Sequence, residues 1–245
     1  MATKNNGDNR GIFIILVIIA LIILAIECVD IHKENSKKNI EYEDSEYSVG
    51  DTIIFGNYPQ DSDGSEEPIE WIILKTKGSK ALLISKYILE ERKYHETKGD
   101  ITWENCDTRK WLNTEFYNEA FDEEEQKKIK NTIVKIEDNF RTGTEGGNDT
   151  RDKIFLLNID QANNLLDTID RETEGTEYVK KTYGAEGKQG WWLCSPGCLS
   201  DKVAVVRSYG GTDSDGAESS EYYGGIRPAL WINCKWQIAS TLTKF

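Results

Sequence analysis

Histidine is almost missing from this chain. Only His32 and His95 occur, and neither lies near the Cys194–Cys198 pair in sequence. A serine or cysteine nucleophile normally leans on an imidazole base. Structural zinc draws on clustered Cys and His. Both chemistries therefore have little to build on. Basic charge is short as well: 30 Lys and Arg stand against 43 Asp and Glu, a formal net charge of -13. Phosphate backbones and anionic lipid heads repel such a surface. Nucleic acid is thereby removed as a partner, while polar neutral ligands such as sugars remain. No strand–GxxxxGK[ST]–helix phosphate loop is present. The DSDG strings at 61–64 and 213–216 start like calcium loops, but Tyr222 stands where the second would need its bidentate Glu. Both strings read as turns. No metal and no cofactor is expected.

Cysteine is sparse. Cys28 ends an apolar stretch, and Cys106, Cys194, Cys198 and Cys234 lie further on. Four cysteines allow three complete pairings, between which sequence does not choose, and four free thiols are the other reading.

Long apolar runs are equally scarce, with one exception. GIFIILVIIALIILAI, residues 11–26, has no charge and no proline. At about 1.5 Å per residue it spans about 24 Å, and Cys28 and Val29 bring it near the hydrocarbon thickness. It is apolar on every face, unlike an amphipathic core helix. Lys4 and Arg10 precede it, and Glu27 and Asp30 follow it. The positive-inside bias then places the N-terminus in the cytoplasm and the rest outside. A cleaved signal peptide would want small residues at its cleavage site, and a lipoprotein signal a small residue before its cysteine. Glu27 disfavours both. The expected organisation is a cytoplasmic tail at 1–10, a transmembrane anchor at 11–29 in the lipid bilayer, a flexible linker at 30–48 and a globular domain at 49–245. Lys4 and Arg10 balance Asp8 and Glu27, so the whole net charge falls on residues beyond the anchor.

Within the domain, residues 49–60 read as a strand ended by Gly56 and Pro59. Residues 69–86 are two apolar runs around Lys77-Gly78-Ser79-Lys80, a hairpin signature. Trp111, Leu112, Glu115 and Phe116 recur at helical spacing. Asp122 with Glu125, and Asn158 with Gln161, form capping-box pairs that start two further helices. Residues 131–137 alternate like a strand, 140–152 read as a loop, 153–157 as a short strand, and 167–190 as irregular. The last third reads as strands at 191–195, 202–208 and 226–233, separated by Gly-rich turns. Strands first, helices in the middle and strands last imply an α+β fold with a mixed or antiparallel sheet and two or three short helices. The last strand is expected beside the 69–86 hairpin. Arg227 is expected to pair with a carboxylate such as Glu70. Neighbours on a strand face opposite sides, so one of Trp191 and Trp192 can be core while the other is rim.

Seven blocks in order carry a resemblance: FGNYPQ (55–60), PIEW (68–71), ALLISK (81–86), RKWLN (109–113), DKIFLL (152–157), WWLCSPG (191–197) and GIRPALWIN (225–233). The chain from residue 49 onward resembles the bacterial domain of unknown function six-two-seven-three, whose members are often secreted or anchored proteins of Gram-positive bacteria. The resemblance implies no active site, since none is established for the family. It also implies Arg where this chain has Cys194, and often Val at Ile226. The W-x-x-S segment followed by a Gly-rich stretch and G-x-R-P is similar, more loosely, to the C-terminal part of C-type-lectin-like folds.

Between the last two expected strands lies RSYGGTDSDGAESSEYYGG, residues 207–225. It has little apolar area to bury and is too long for a minimal turn. Tyr209, Tyr222 and Tyr223 offer flat faces. Asp213, Asp215, Glu218 and Glu221 offer acceptors, and Arg207 a fork of donors. These eight residues are the candidate ligand surface. The expected function is a membrane-anchored recognition module for a glycan or protein ligand. A cell-envelope hydrolase using paired carboxylates and a structural surface protein are the alternatives.

Overall fold

A computed structural model describes residues 47–234, apart from the side chains of Thr168 and Ile169. The expected anchor and linker lie outside the described residues. Among those described, no helix is long and apolar enough to cross a membrane.

The chain opens with β1 (Thr52–Pro59), β2 (Glu66–Lys77), β3 (Lys80–Ser85) and β4 (Glu90–Arg92). A helical stretch follows: a 3₁₀ turn at Trp103–Asn105, then helix at Asp107–Trp111, a π-turn at Leu112–Phe116, and helix again at Tyr117–Ala120. Another helix spans Glu123–Lys128. Next come β5 (Thr132–Val134), β6 (Thr150–Asp152), β7 (Ile154–Phe155), helices Ile159–Leu165 and Thr168–Arg171, β8 (Thr173–Glu174) and helix Glu177–Tyr183. The last part holds β9 (Lys188–Gln189), β10 (Trp191–Pro196), β11 (Lys202–Val206), β12 (Thr212–Glu218), β13 (Gly224–Ile226) and β14 (Ala229–Asn233). The fold is α+β with mostly antiparallel sheets and short helices, as expected.

Two five-stranded sheets organise it. The first runs β1-β2-β3-β14-β7, and the second runs β12-β11-β10-β13-β4. The β2–β3 hairpin closes at Lys77 opposite Lys80, with Gly78 at positive φ, so the hairpin signature is borne out. β14 lies beside β3 with Leu230 opposite Leu83. The last strand therefore joins the hairpin's sheet, although Ile226 does not: it belongs to β13 in the other sheet.

The chain crosses between sheets at Arg227 and Pro228. Proline has no N–H for a ladder, which suits a junction, and its carbonyl accepts from Ser85 N at 2.9 Å. Arg227 is buried here. Its Nε donates to Ser85 O at 2.8 Å, Nη1 to Asp170 O at 2.9 Å, and Nη2 to Lys86 O. Its guanidinium also faces the Trp191 ring at 5.3 Å. Burial pushes its pKa down to about 10, which leaves it charged at neutral pH. The expected pairing with Glu70 is corrected: Glu70 holds Lys86 at 2.6 Å instead. The carbonyls that serve Arg227 come from the end of β3, at Ser85 and Lys86, and from the Thr168–Arg171 helix, at Asp170.

Trp71, Trp103, Trp191 and Trp192 fill the core. The expectation that one of Trp191 and Trp192 sits at a rim fails, because both are fully buried. β10 is central in its sheet and has packing on both faces, so alternation no longer separates core from surface. Each indole N–H finds an oxygen: Trp71 bonds Phe55 O, Trp103 bonds Asp152, Trp191 bonds Arg171 O and Trp192 bonds Arg92 O. Buried indoles need such partners. Asp152 is fully buried as well, and Arg109 meets it at 2.7 Å. Both capping boxes form as expected.

Residues 167–190, expected to be irregular, contain helix Glu177–Tyr183 and the β8–β9 pair. Thr176 caps that helix through Val179 N, and Gly184 ends it in the left-handed region. Only Val179 of the helix is buried, so no hydrophobic stripe announces it. Cys106, Cys194, Cys198 and Cys234 are free thiols. Burial pushes the Cys106 thiol up to about 12.

Candidate functional site

The second sheet ends in two edge strands, and the site is built from what they carry. β12 is one edge, paired only with β11. The reading of 207–225 as one surface loop is thus corrected: Thr212–Glu218 is a strand, and the second DSDG string lies inside it. The ladder slips between Val203 and Val205, where Gly216 sits at φ 76°. A Cβ on Gly216 would come 2.3 Å from Val203 O. The polar composition suits an edge strand, whose outer side must not pair with other chains.

The acids of this edge are engaged within the protein. Asp213 Oδ2 accepts from Arg207 Nη2 at 2.5 Å and Nε at 2.9 Å. Its Oδ1 accepts from the amides of Asp215 and Gly216. Burial pushes this carboxyl up, but Arg207 and the two amides outweigh it and hold it below its ordinary value. Asp215 pairs with Arg141 at 3.0 Å. Glu221 pairs with Lys98 at 3.3 Å. Glu218 closes β12 opposite Lys202 and accepts Tyr222 N on its carbonyl. Tyr209 stands on the turn before β12, 69% exposed.

β4 is the other edge, and its chemistry differs. Glu90 and Glu91 are neighbours on it and point to opposite faces. Burial raises the proton affinity of Glu90, while its hydrogen bonds from the Tyr183 hydroxyl and the Glu91 amide oppose the rise. Burial also raises that of Glu91, and the charge of Glu90 adds to it. Neither carboxylate forms an ion pair among the described residues.

An open cleft of about 310 Å³ lies beside this edge. It is lined by Glu91 of β4, Lys188, Gln189 and Gly190 of the β9 region, Arg207 and Ser208 after β11, and Tyr222 and Tyr223 before β13, with Ala185. Three of the eight expected ligand residues therefore meet here: Arg207, Tyr222 and Tyr223. Tyr209, Asp213, Asp215, Glu218 and Glu221 do not line it. Tyr222 is half-buried, with its ring edge-on to Trp192 at 5.3 Å. Tyr223 is 54% exposed, with Lys93 Nζ 5.6 Å from its ring centre. Gly190 forms part of the wall where a Cβ would meet Val206 O at 2.9 Å and the Tyr222 hydroxyl at 3.2 Å. Gln189 is buried, and neither atom of its amide has a hydrogen-bond partner among the described residues.

Sequence reasoning missed Glu91, Lys188, Gln189 and Gly190. The adjacent acids Glu90 and Glu91 after an apolar run were the available signal. Nothing local marked residues 188–190. A second pocket, between the 137–140 loop and Ser195, is about 70 Å³, room for a few waters. His95 Nδ1 lies 2.6 Å from Asp107, outside the cleft lining. Among the described residues no group of three or more His, Cys, Asp or Glu is placed to hold a metal ion.

Residues 78–234 match the family described as Domain of unknown function (DUF6273). That span is more than half of the chain, and the chain belongs to this family. The match begins later than residue 49, so β1 and all of β2 precede it although they share a sheet with β3. No curated protein and no solved structure matches the chain.

Proposed function

We propose that the domain is a recognition module that holds a polar ligand, a glycan or a protein segment, in the Tyr222–Tyr223 cleft. The carrying observation is the convergence of two tyrosines, two cations and an unpaired carboxylate on one open concavity. Binding sites combine apolar or aromatic surface with a few placed polar groups. The apolar run at 11–26 supports display of this module on the outer side of a membrane through a lipid-embedded helix. The placement of β14 beside β3 supports the C-type-lectin-like likeness, although fold alone does not assign a ligand.

The raised proton affinities of Glu90 and Glu91 favour the hydrolase alternative, since perturbed carboxyls mark catalytic acids. Alternation along β4 argues against it, because the two side chains do not flank one bond. The test is binding of the full chain, purified in detergent, to glycan and peptide arrays. Tyr223→Ala is expected to weaken the selected ligand at least about tenfold, without a shift in thermal midpoint. Undiminished binding by this variant would refute the cleft assignment. Steady release of reducing ends from a bound glycan would instead favour the hydrolase.

A further inference from the structure

The charges of the cleft are unevenly satisfied. Asp213 holds Arg207 at 2.5 Å, and Glu172 lies 3.5 Å from Lys188. Lys93, above the Tyr223 ring, has Glu96 at 3.9 Å. Glu91 is the charged lining residue that has no counter-ion among the described residues. A half-buried carboxylate in that condition gains most from an arriving cation, which favours its ionised form. A charge-assisted hydrogen bond is also about twice as strong as a neutral one. Tyrosine faces beside it attract cations in their own right.

The lining has one aliphatic side chain, Ala185, and so offers no seat for the apolar side chains of a peptide. Hydroxyl-rich rings suit it better: Ser208, Tyr222 and the free Nη1 of Arg207 can meet hydroxyls, and the exposed Tyr223 face can meet ring C–H groups.

We infer that the cleft takes an amine-bearing sugar, a hexosamine whose ammonium meets Glu91 while its ring lies on Tyr223. This rests on the recognition reading and narrows it to one ligand class.

The test titrates the full chain in detergent with three oligosaccharides of equal length: glucosamine, N-acetylglucosamine and glucose oligomers. Salt is held near physiological strength so that the acidic domain's general attraction for cations is screened. The glucosamine oligomer is expected to bind at least about tenfold more tightly than the other two. Glu91→Gln is expected to abolish that preference without lowering the thermal midpoint, and Glu91→Asp to restore part of it. Equal affinities, or a preference that survives Glu91→Gln, would overturn the amine assignment. A glucose or N-acetylglucosamine oligomer that binds through Tyr223 would overturn it too, yet leave the recognition reading standing. Failure of all three to bind ends the amine assignment, and the peptide arm of the array then decides the recognition reading by itself.

Discussion

The two edges of the second sheet carry acids in opposite conditions. On β12, Asp213 and Asp215 are each matched by an arginine, and Asp213 also accepts two backbone amides. On β4, Glu90 and Glu91 form no ion pair among the described residues, and burial raises the proton affinity of both. The contrast separates two uses of a carboxylate. Matched acids hold an edge strand in shape. An acid without a counter-ion at the rim of a cleft, Glu91, is on the proposed reading kept for a ligand. Counting acids along the chain points to β12, and counting partners points to β4.

The largest expected effect tests the structural edge. Gly216→Ala places a Cβ 2.3 Å from Val203 O at a positive φ, and is expected to cost about 3 kcal/mol in urea unfolding. A cost under about 1 kcal/mol would mean that the bulge is not needed. Asp213→Ala comes next. It strands Arg207 and two amides, and is expected to cost about 2 kcal/mol near neutral pH. The folded-state pKa of Asp213 is depressed. Its stabilisation is therefore present above the unfolded value, near 3.8, and is lost as pH falls through the folded value. Unfolding curves of wild type and variant should converge in acid.

Smaller effects test the other edge. Glu90→Gln removes a partly buried charge and keeps an acceptor for the Tyr183 hydroxyl. It is expected to raise the thermal midpoint by about 2 °C at neutral pH. Because the folded pKa of Glu90 is raised, its favourable contribution is present below the unfolded value and lost as pH rises through the folded one. The gain of the variant should therefore fade in acid, opposite in sign to Asp213→Ala. The smallest effect is Tyr209→Ala, which should leave stability within about 0.5 kcal/mol and ligand binding unchanged. Lost binding in this variant would return the site to the turn before β12.

Much of the fold was legible because local signals agreed with tertiary ones. Lys77-Gly78-Ser79-Lys80 marked the hairpin, and Asp122–Glu125 and Asn158–Gln161 marked helix starts. The family blocks turned out to hold structural polar groups. Arg109 and Asp152 pair across RKWLN and DKIFLL, Asn113 bonds the backbone of Lys153 and Ile154, and Arg227 sits at the sheet crossing. The site was legible only where aromatics announced it, at Tyr222 and Tyr223. Glu91, Gln189 and Gly190 come from segments about a hundred residues apart in the chain, joined by pairing that no local pattern encodes. Gly-rich, acidic composition read as a loop because an edge strand needs only one neighbour and few apolar side chains.

The central claim is that ligands meet the cleft beside β4 and not the acidic strand β12. The most direct measurement is a titration of ¹⁵N-labelled full-length protein with the glucosamine oligomer, followed by amide chemical shifts. The account predicts that shifts concentrate at Glu91, Lys188, Gln189, Gly190, Ser208, Tyr222 and Tyr223. Shifts concentrated from Tyr209 to Ala217, with the cleft residues unmoved, would contradict it.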